Sequence, residues 1–150
     1  GVRGVAKMVR ASGFSRNFDS YIRDINENIV GIIQVETTGI LKHIHEIASI
    51  DNIDVLFIGP ADLTMALGLF GQFDHPLYLN ALAETADAAA KAGKAAGILM
   101  YDPNDFRKYH SIGFRFIACG ADMTFVVNGA NAMADNLRSL SGQAKTTDSY

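Results

Sequence analysis

The chain has 150 residues, 49% of them hydrophobic and 19% charged, which is the profile of an ordinary globular domain with enough length for one core. A net charge of -3 and the lack of any lysine and arginine cluster argue against a nucleic-acid surface, and apolar runs reach only strand length before a charge or turn residue, so none predicts a membrane span. The single cysteine, Cys119, excludes an internal disulfide framework; inside the run Phe116-Ile117-Ala118-Cys119 its expected role is core filling in a reducing compartment.

Phe18, Tyr21, Ile22 and Ile25 recur at i, i+3, i+4 and i+7, which predicts a short amphipathic helix over residues 17–26. Ile29-Val30-Gly31-Ile32-Ile33-Gln34-Val35 is a nearly continuous apolar run, as in a buried parallel strand, and Glu36 closes it. A helix opening at Thr38 or Gly39 is expected next, with Ile40, Leu41, Ile44, Ile47 and Ala48 on one face. Residues 54–58 read as the second strand, Gly59-Pro60 as the handover to a short helix reaching residue 67, and residues 68–75 as a Gly-rich loop. Pro76 suits the first turn of a long helix that stops at Gly93. A third strand over 96–100, a helix over 104–112 closed by Gly113, a fourth strand over 114–119 and a last helix over 124–140 follow, with a loose polar tail at 141–150.

This strand and helix rhythm requires a parallel sheet, because each crossover returns the chain to the same edge. Ligands of such sheets bind at the carboxyl ends of the strands, where both Glu36 and Asp62 fall. Two hard oxygen ligands with no cysteine or histidine beside them suit Mg²⁺ or Mn²⁺ better than zinc. Two architectures fit four βα units: a small doubly wound sheet, or the second half of a (β/α)₈ barrel, which takes about 250 residues when complete. The first residue is Gly1 rather than methionine, which favours the half-barrel.

The run Val35-Glu36-Thr37, the run from Ile53 through Phe57-Ile58-Gly59-Pro60-Ala61-Asp62-Leu63-Thr64 with Leu67-Gly68 after it, and Gly93-Lys94-Ala95-Ala96-Gly97-Ile98-Leu99 resemble the HpcH/HpaI family of metal-dependent pyruvate aldolases. So do Gly1-Val2-Arg3-Gly4-Val5 and Arg10-Ala11-Ser12, so the likeness covers residues 1–140. It implies the C-terminal half of a (β/α)₈ TIM barrel as one domain over 1–140, with a flexible tail at 141–150. It also implies that Glu36 and Asp62 hold Mg²⁺ or Mn²⁺, and that a 2-oxo acid chelates the ion. Amides around Gly59, Ala61 and Asp62 would hold the pyruvate carboxylate, as a helix start favours anions. Gln34, on the same strand face as Glu36, lies in the family motif near the metal, and Leu99 would pack against substrate. The implied reaction is the cleavage of a 4-hydroxy-2-oxo acid to pyruvate and an aldehyde through a metal-stabilised enolate.

In this family the general base, a histidine, and a supporting arginine come from the N-terminal half of the barrel, so the catalytic base is expected upstream of this chain. His43 and His45 point about 160° apart at 3.6 residues per turn, so at most one faces inward. His75 fits a helix start better than a catalyst, and His110 a helix surface; Arg3 and Arg10 receive no role from sequence. A Schiff-base aldolase would need a lysine at a strand's carboxyl end; Lys94 precedes its strand, and Lys42, Lys91 and Lys108 fall on helices. Two other readings remain open: a non-catalytic half-barrel that binds a 2-oxo acid or a partner, and a citrate-lyase-like cleavage of a CoA ester. A cytoplasmic homo-oligomer is expected, with no membrane or nucleic-acid partner. Phe125, Val126, Ala130 and Met133 of the last helix are the candidate contacts between copies.

Overall fold

The computed structural model describes residues 4–142. Arg3 and all but the first two residues of the expected tail lie outside the described residues. Four parallel strands, β1 (Ile32–Val35), β2 (Val55–Ile58), β3 (Ala95–Met100) and β4 (Phe114–Cys119), form one sheet in the order β1-β2-β3-β4. The helices are α1 (Phe18–Asn28), α2 (Thr38–Lys42), α3 (Ile44–Ala48), α4 (Pro60–Ala66), α5 (Pro76–Lys91), α6 (Phe106–Ile112) and α7 (Asp122–Leu140). A doubly wound sheet reverses its order at a switch point. Here the order is that of the chain, so every crossover steps the same way, as in a βα barrel.

Burial decides between the faces. Val35, Leu56, Ile58, Ala96, Ile98 and Met100 alternate along the strands and point to one side, where they meet Ile44, Leu63, Tyr78, Leu82 and Tyr109 of the helices in one continuous core. The opposite face carries Ile32, Gln34, Phe57, Gly97, Leu99, Phe116 and Ala118, and no described helix covers it: Ile32 is 43% and Phe116 41% exposed. A sheet packed on its outside and bare on its inside is half a barrel wall with the lumen open. β1 and β4 are its two free edges, and such edges pair readily with other chains. Sedimentation of this chain by itself is expected to show association, and a sharp monomer peak would contradict that.

The register changes once, between β3 and β4: Ala96 pairs with Phe114, yet Gly97 pairs with Phe116. The extra residue, Arg115, lets Phe114 turn to the helices and Phe116 to the lumen although two positions apart. Arg115 itself donates to the carbonyls of His110 and Phe114, both at 2.9 Å. Gly97 is required on the inner side, because a Cβ there would stand 2.7 Å from Phe57 Cδ2 and 2.9 Å from Val55 Cγ1. Phe57 instead lies across the glycine, edge-on to Phe116 with ring centroids 6.0 Å apart.

Several expectations need correction. The helix expected from Thr38 to Ala48 is two, because His43 leaves helical geometry (φ -117°, ψ 20°) and caps α2 before α3 begins. β1 is shorter than its apolar run: Ile29 and Val30 are exposed, and Gly31 is held at the other rim by its amide donating to Asp54 Oδ2 at 2.7 Å. Cys119 is exposed rather than core-filling; it is the last residue of β4, at the rim where the helix layer no longer covers the strand. The last helix starts two residues early, at Asp122, and buries nothing.

Tyr78 of α5 is fully buried, and its hydroxyl has no hydrogen-bond partner among the described residues. Burial therefore holds the phenol protonated far above its ordinary range. Removing an unsatisfied buried polar group relieves its desolvation penalty, so Tyr78→Phe is expected to stabilise the fold by about 1 to 3 kcal/mol, read as a higher urea midpoint at unchanged slope. A lower midpoint would mean that the hydroxyl has a partner.

Candidate functional site

β1 ends at Val35, and Thr37 caps α2 by accepting the Ile40 amide on Oγ1 at 3.2 Å. Glu36 is the one residue between them, half-buried at the carboxyl end of the sheet. Beside it, β2 ends at Ile58 and the buried Gly59 caps α4, whose first residue is Pro60. The Leu63 amide donates to the Gly59 carbonyl at 2.9 Å, which makes that carbonyl the first acceptor of the helix. The amides of Ala61 and Asp62 precede it and have no acceptor within the helix, while Pro60 has no amide to offer. Asp62 stands in this first turn.

The carboxylates converge at Gly59. A Cβ on Gly59 would lie 3.2 Å from Glu36 Oε2 and 3.6 Å from Asp62 Oδ2, so both oxygens surround one point that any side chain would fill. Among the described residues neither carboxylate has an ion-pair partner. Two like charges around one glycine repel each other unless a cation joins them. Among the described residues no group of three or more His, Cys, Asp or Glu could hold a metal. A two-carboxylate donor set suits a hard cation that keeps water and takes oxygens from its substrate, which is the habit of Mg²⁺ and is not that of structural zinc. Glu36 and Asp62 could therefore hold a hard divalent cation at the Gly59 cradle. Gly59→Ala is expected to keep the fold and weaken Mn²⁺ binding, and a Mn²⁺ titration giving unchanged affinity would contradict this.

Gln34 pairs in register with Phe57 on the lumen face, one layer below Glu36 and Gly59. Leu99 lies on the same face; Ile58 pairs with Ile98, so the next step of the ladder places Leu99 beside Gly59. Glu36, Gly59, Ala61 and Asp62 thus come together, with Leu99 on the neighbouring strand and Gln34 below.

The histidines stay out. His43 Nδ1 is 3.2 Å from Glu46 Oε2 on the surface, and His45 is exposed. His75 caps α5 by accepting the Leu77 amide at 3.2 Å, and His110 stacks on Phe106 at 5.5 Å. Arg10 is exposed in a 3₁₀ turn.

The Gly-rich loop after α4 is held by anchors that its sequence did not announce. The buried Thr64 hydroxyl donates to the Pro60 carbonyl at 2.9 Å and accepts the Gly71 amide at 3.3 Å. Phe73 packs on Tyr78 and on Tyr101, each with centroids 5.9 Å apart. Asp74 Oδ1 pairs with Lys108 Nζ at 2.6 Å, and this hydrogen bond raises the lysine pKa. The loop root is fixed, while Phe70 between Gly68 and Gly71 is exposed. A threonine one turn into a short helix was the only signal, and it is a weak one.

Residues 2–129 match the family model described as HpcH/HpaI aldolase/citrate lyase. The hydroxypyruvate/pyruvate aldolase of Paraburkholderia phytofirmans is 38% identical over 139 residues, which is 93% of this chain and 53% of that protein. A 4-hydroxy-2-oxo-heptane-1,7-dioate aldolase of Klebsiella pneumoniae is 38% identical over 135 residues, 89% of this chain and 51% of the relative. The crystal structure of an HpcH/HpaI aldolase/citrate lyase family protein from Burkholderia cenocepacia superposes with a TM-score of 0.82 at 36% identity, covering 92% of this chain and 53% of the other. The chain spans about half the length of the curated relatives it matches.

Proposed function

The chain belongs to the HpcH/HpaI aldolase/citrate lyase family, and from that membership and the convergence of Glu36 and Asp62 on Gly59 we propose that it carries the metal-binding side of a divalent-cation-dependent aldolase. The reaction is the cleavage of a 4-hydroxy-2-oxo acid into pyruvate and an aldehyde. Glu36 and Asp62 hold Mg²⁺ or Mn²⁺. The Ala61 and Asp62 amides, at the positive end of α4, receive the substrate carboxylate and so orient the keto group toward Gly59. Gln34 supports Glu36 from the layer below, and Leu99 bounds the substrate on the β3 side.

The bound cation supplies Lewis-acid stabilisation of the charge that develops on the keto oxygen, worth several kcal/mol in the transition state. A base takes the proton of the C4 hydroxyl, the C3–C4 bond breaks with its electrons passing toward the keto group, the aldehyde leaves, and protonation at C3 gives pyruvate. That base is expected from the part of the relatives' length that this chain does not span. In this reading the chain supplies the C-terminal half of one (β/α)₈ barrel domain, and the lone Cys119 suits a reducing, cytoplasmic homo-oligomer.

The observation that carries the proposal is the convergence on the Gly59 cradle of two carboxylate oxygens that have no ion-pair partner among the described residues. Pyruvate release from a 4-hydroxy-2-oxo acid by the full-length protein tests it. Chelator is expected to abolish the activity, Mn²⁺ or Mg²⁺ to restore it, and borohydride with substrate to leave it intact. Among the described residues, Lys91 and Lys108 are tied to Asp87 and Asp74, and Lys94 to the Ile50 carbonyl at the opposite rim. Inactivation by borohydride would mean a Schiff-base lysine and would refute the metal mechanism.

A further inference from the structure

Thr64 stands two residues after Asp62 in α4 and is fully buried. Its hydroxyl donates to the carbonyl of Pro60 and to that of Ala61, each at 2.9 Å, with one proton shared between them. A peptide group is planar and trans, so the Pro60 carbonyl and the Ala61 amide are opposite ends of one rigid unit, as are the Ala61 carbonyl and the Asp62 amide. Thr64 therefore holds, from their carbonyl ends, the same two peptide groups whose amides have no acceptor within the helix. In an α-helix each of those carbonyls also takes the amide four residues on, so the hydroxyl bonds are additional to what the helix needs.

The loop after α4 orients the hydroxyl in turn. Gly71, at φ 76°, turns its amide onto Thr64 Oγ1 at 3.3 Å, and the Leu69 amide donates to the Thr64 carbonyl at 2.8 Å. With one lone pair taken by Gly71, the hydroxyl directs its proton to the two carbonyls. Hydrogen bonds in series polarise one another, so a carbonyl that accepts makes the N–H of its own peptide a better donor, most of all away from water. Thr85 of α5 supplies the contrast. It is equally buried, but its hydroxyl donates only to the Ala81 carbonyl, at 2.8 Å, and among the described residues no loop amide reaches it.

We propose that Thr64 is a positioning residue for the substrate carboxylate: its hydroxyl aims and polarises the Ala61 and Asp62 amides through their own peptide groups. The inference rests on the placement of that carboxylate argued above. It adds the loop over residues 68–75 to the device, through Gly71.

Binding to the full-length protein loaded with Mn²⁺, followed by water-proton relaxation, tests it with two ligands. Pyruvate brings a carboxylate, whereas acetohydroxamate chelates through two oxygens and has none. Thr64→Val removes the hydroxyl and keeps the branched shape. It is expected to weaken pyruvate about 10-fold, as loss of a supporting group does, while acetohydroxamate and Mn²⁺ itself stay within about 3-fold. Thr64→Ser is expected to bring pyruvate back to within about 3-fold of the unaltered protein, and Thr85→Val to leave both ligands within that range. Thr64→Ala reads the same difference if the valine variant does not fold, and failure of both to fold would overturn the inference by making the hydroxyl a requirement of the fold. Equal weakening of pyruvate and acetohydroxamate by Thr64→Val would overturn it as well. So would pyruvate binding that Thr64→Val leaves unchanged, or a serine variant no better than the valine one. In each of these cases, loss of Mn²⁺ and pyruvate together in Glu36→Gln would leave the metal site standing. Absence of any Mn²⁺-dependent pyruvate binding by the unaltered protein would overturn both readings.

Discussion

Glu36→Gln and Asp62→Asn are each expected to weaken Mn²⁺ binding in the presence of pyruvate by more than about 100-fold, since loss of groups that merely support a ligand already costs about 10- to 100-fold. Each substitution removes one of two negative charges facing the same glycine cradle. Without metal, the thermal midpoint should therefore hold or rise, because a like-charge repulsion is relieved. This pairing of effects separates a ligand from a structural residue, whose loss lowers stability and binding together. A Mn²⁺ isotherm unchanged by either substitution would remove that residue from the site.

The second large effect concerns the wall that positions the first. Phe114 is fully buried, edge-on to Tyr109 with centroids 6.2 Å apart, and it faces the helices only because the register slips at Arg115. Phe114→Ala should cost about 3 to 5 kcal/mol through lost burial and a residual cavity. Against a usual total of about 5 to 15 kcal/mol, that leaves the sheet close to unfolding. Phe116→Ala, two residues on and pointing into the open lumen, should cost a fraction of that in urea denaturation. Equal losses would mean that the two faces of β4 have been assigned the wrong way round.

Much of this was legible in the sequence because the signals were local and agreed with one another. Continuous apolar runs marked the strands, Pro60 and Pro76 marked helix starts, Gly93 and Gly113 helix ends, and a carboxylate followed each of the first two strands. Parallel pairing of those two runs places Glu36 beside Gly59.

What escaped was decided by tertiary contacts. Local periodicity runs unbroken through His43, yet the chain breaks its helix there. The slip at Arg115 changes which residues of β4 face inward, and nothing in Phe114-Arg115-Phe116-Ile117-Ala118-Cys119 announces it. For the same reason Ala118 was invisible as a lumen-facing residue, whereas Cys119 was placed in the core because an apolar run does not show where the helix layer stops covering the strand. Strand composition reports burial, whereas the face of a residue near a bulge depends on the partner strand.

The most direct test of the central claim is reciprocal linkage between metal and 2-oxo acid, measured by Mn²⁺ electron paramagnetic resonance titrations with and without pyruvate. If Glu36 and Asp62 hold one ion that the 2-oxo acid also ligates, one Mn²⁺ binds per chain, pyruvate tightens it, and Mn²⁺ tightens pyruvate by the same factor. Mn²⁺ binding that is indifferent to pyruvate, or no binding at all, would contradict the account.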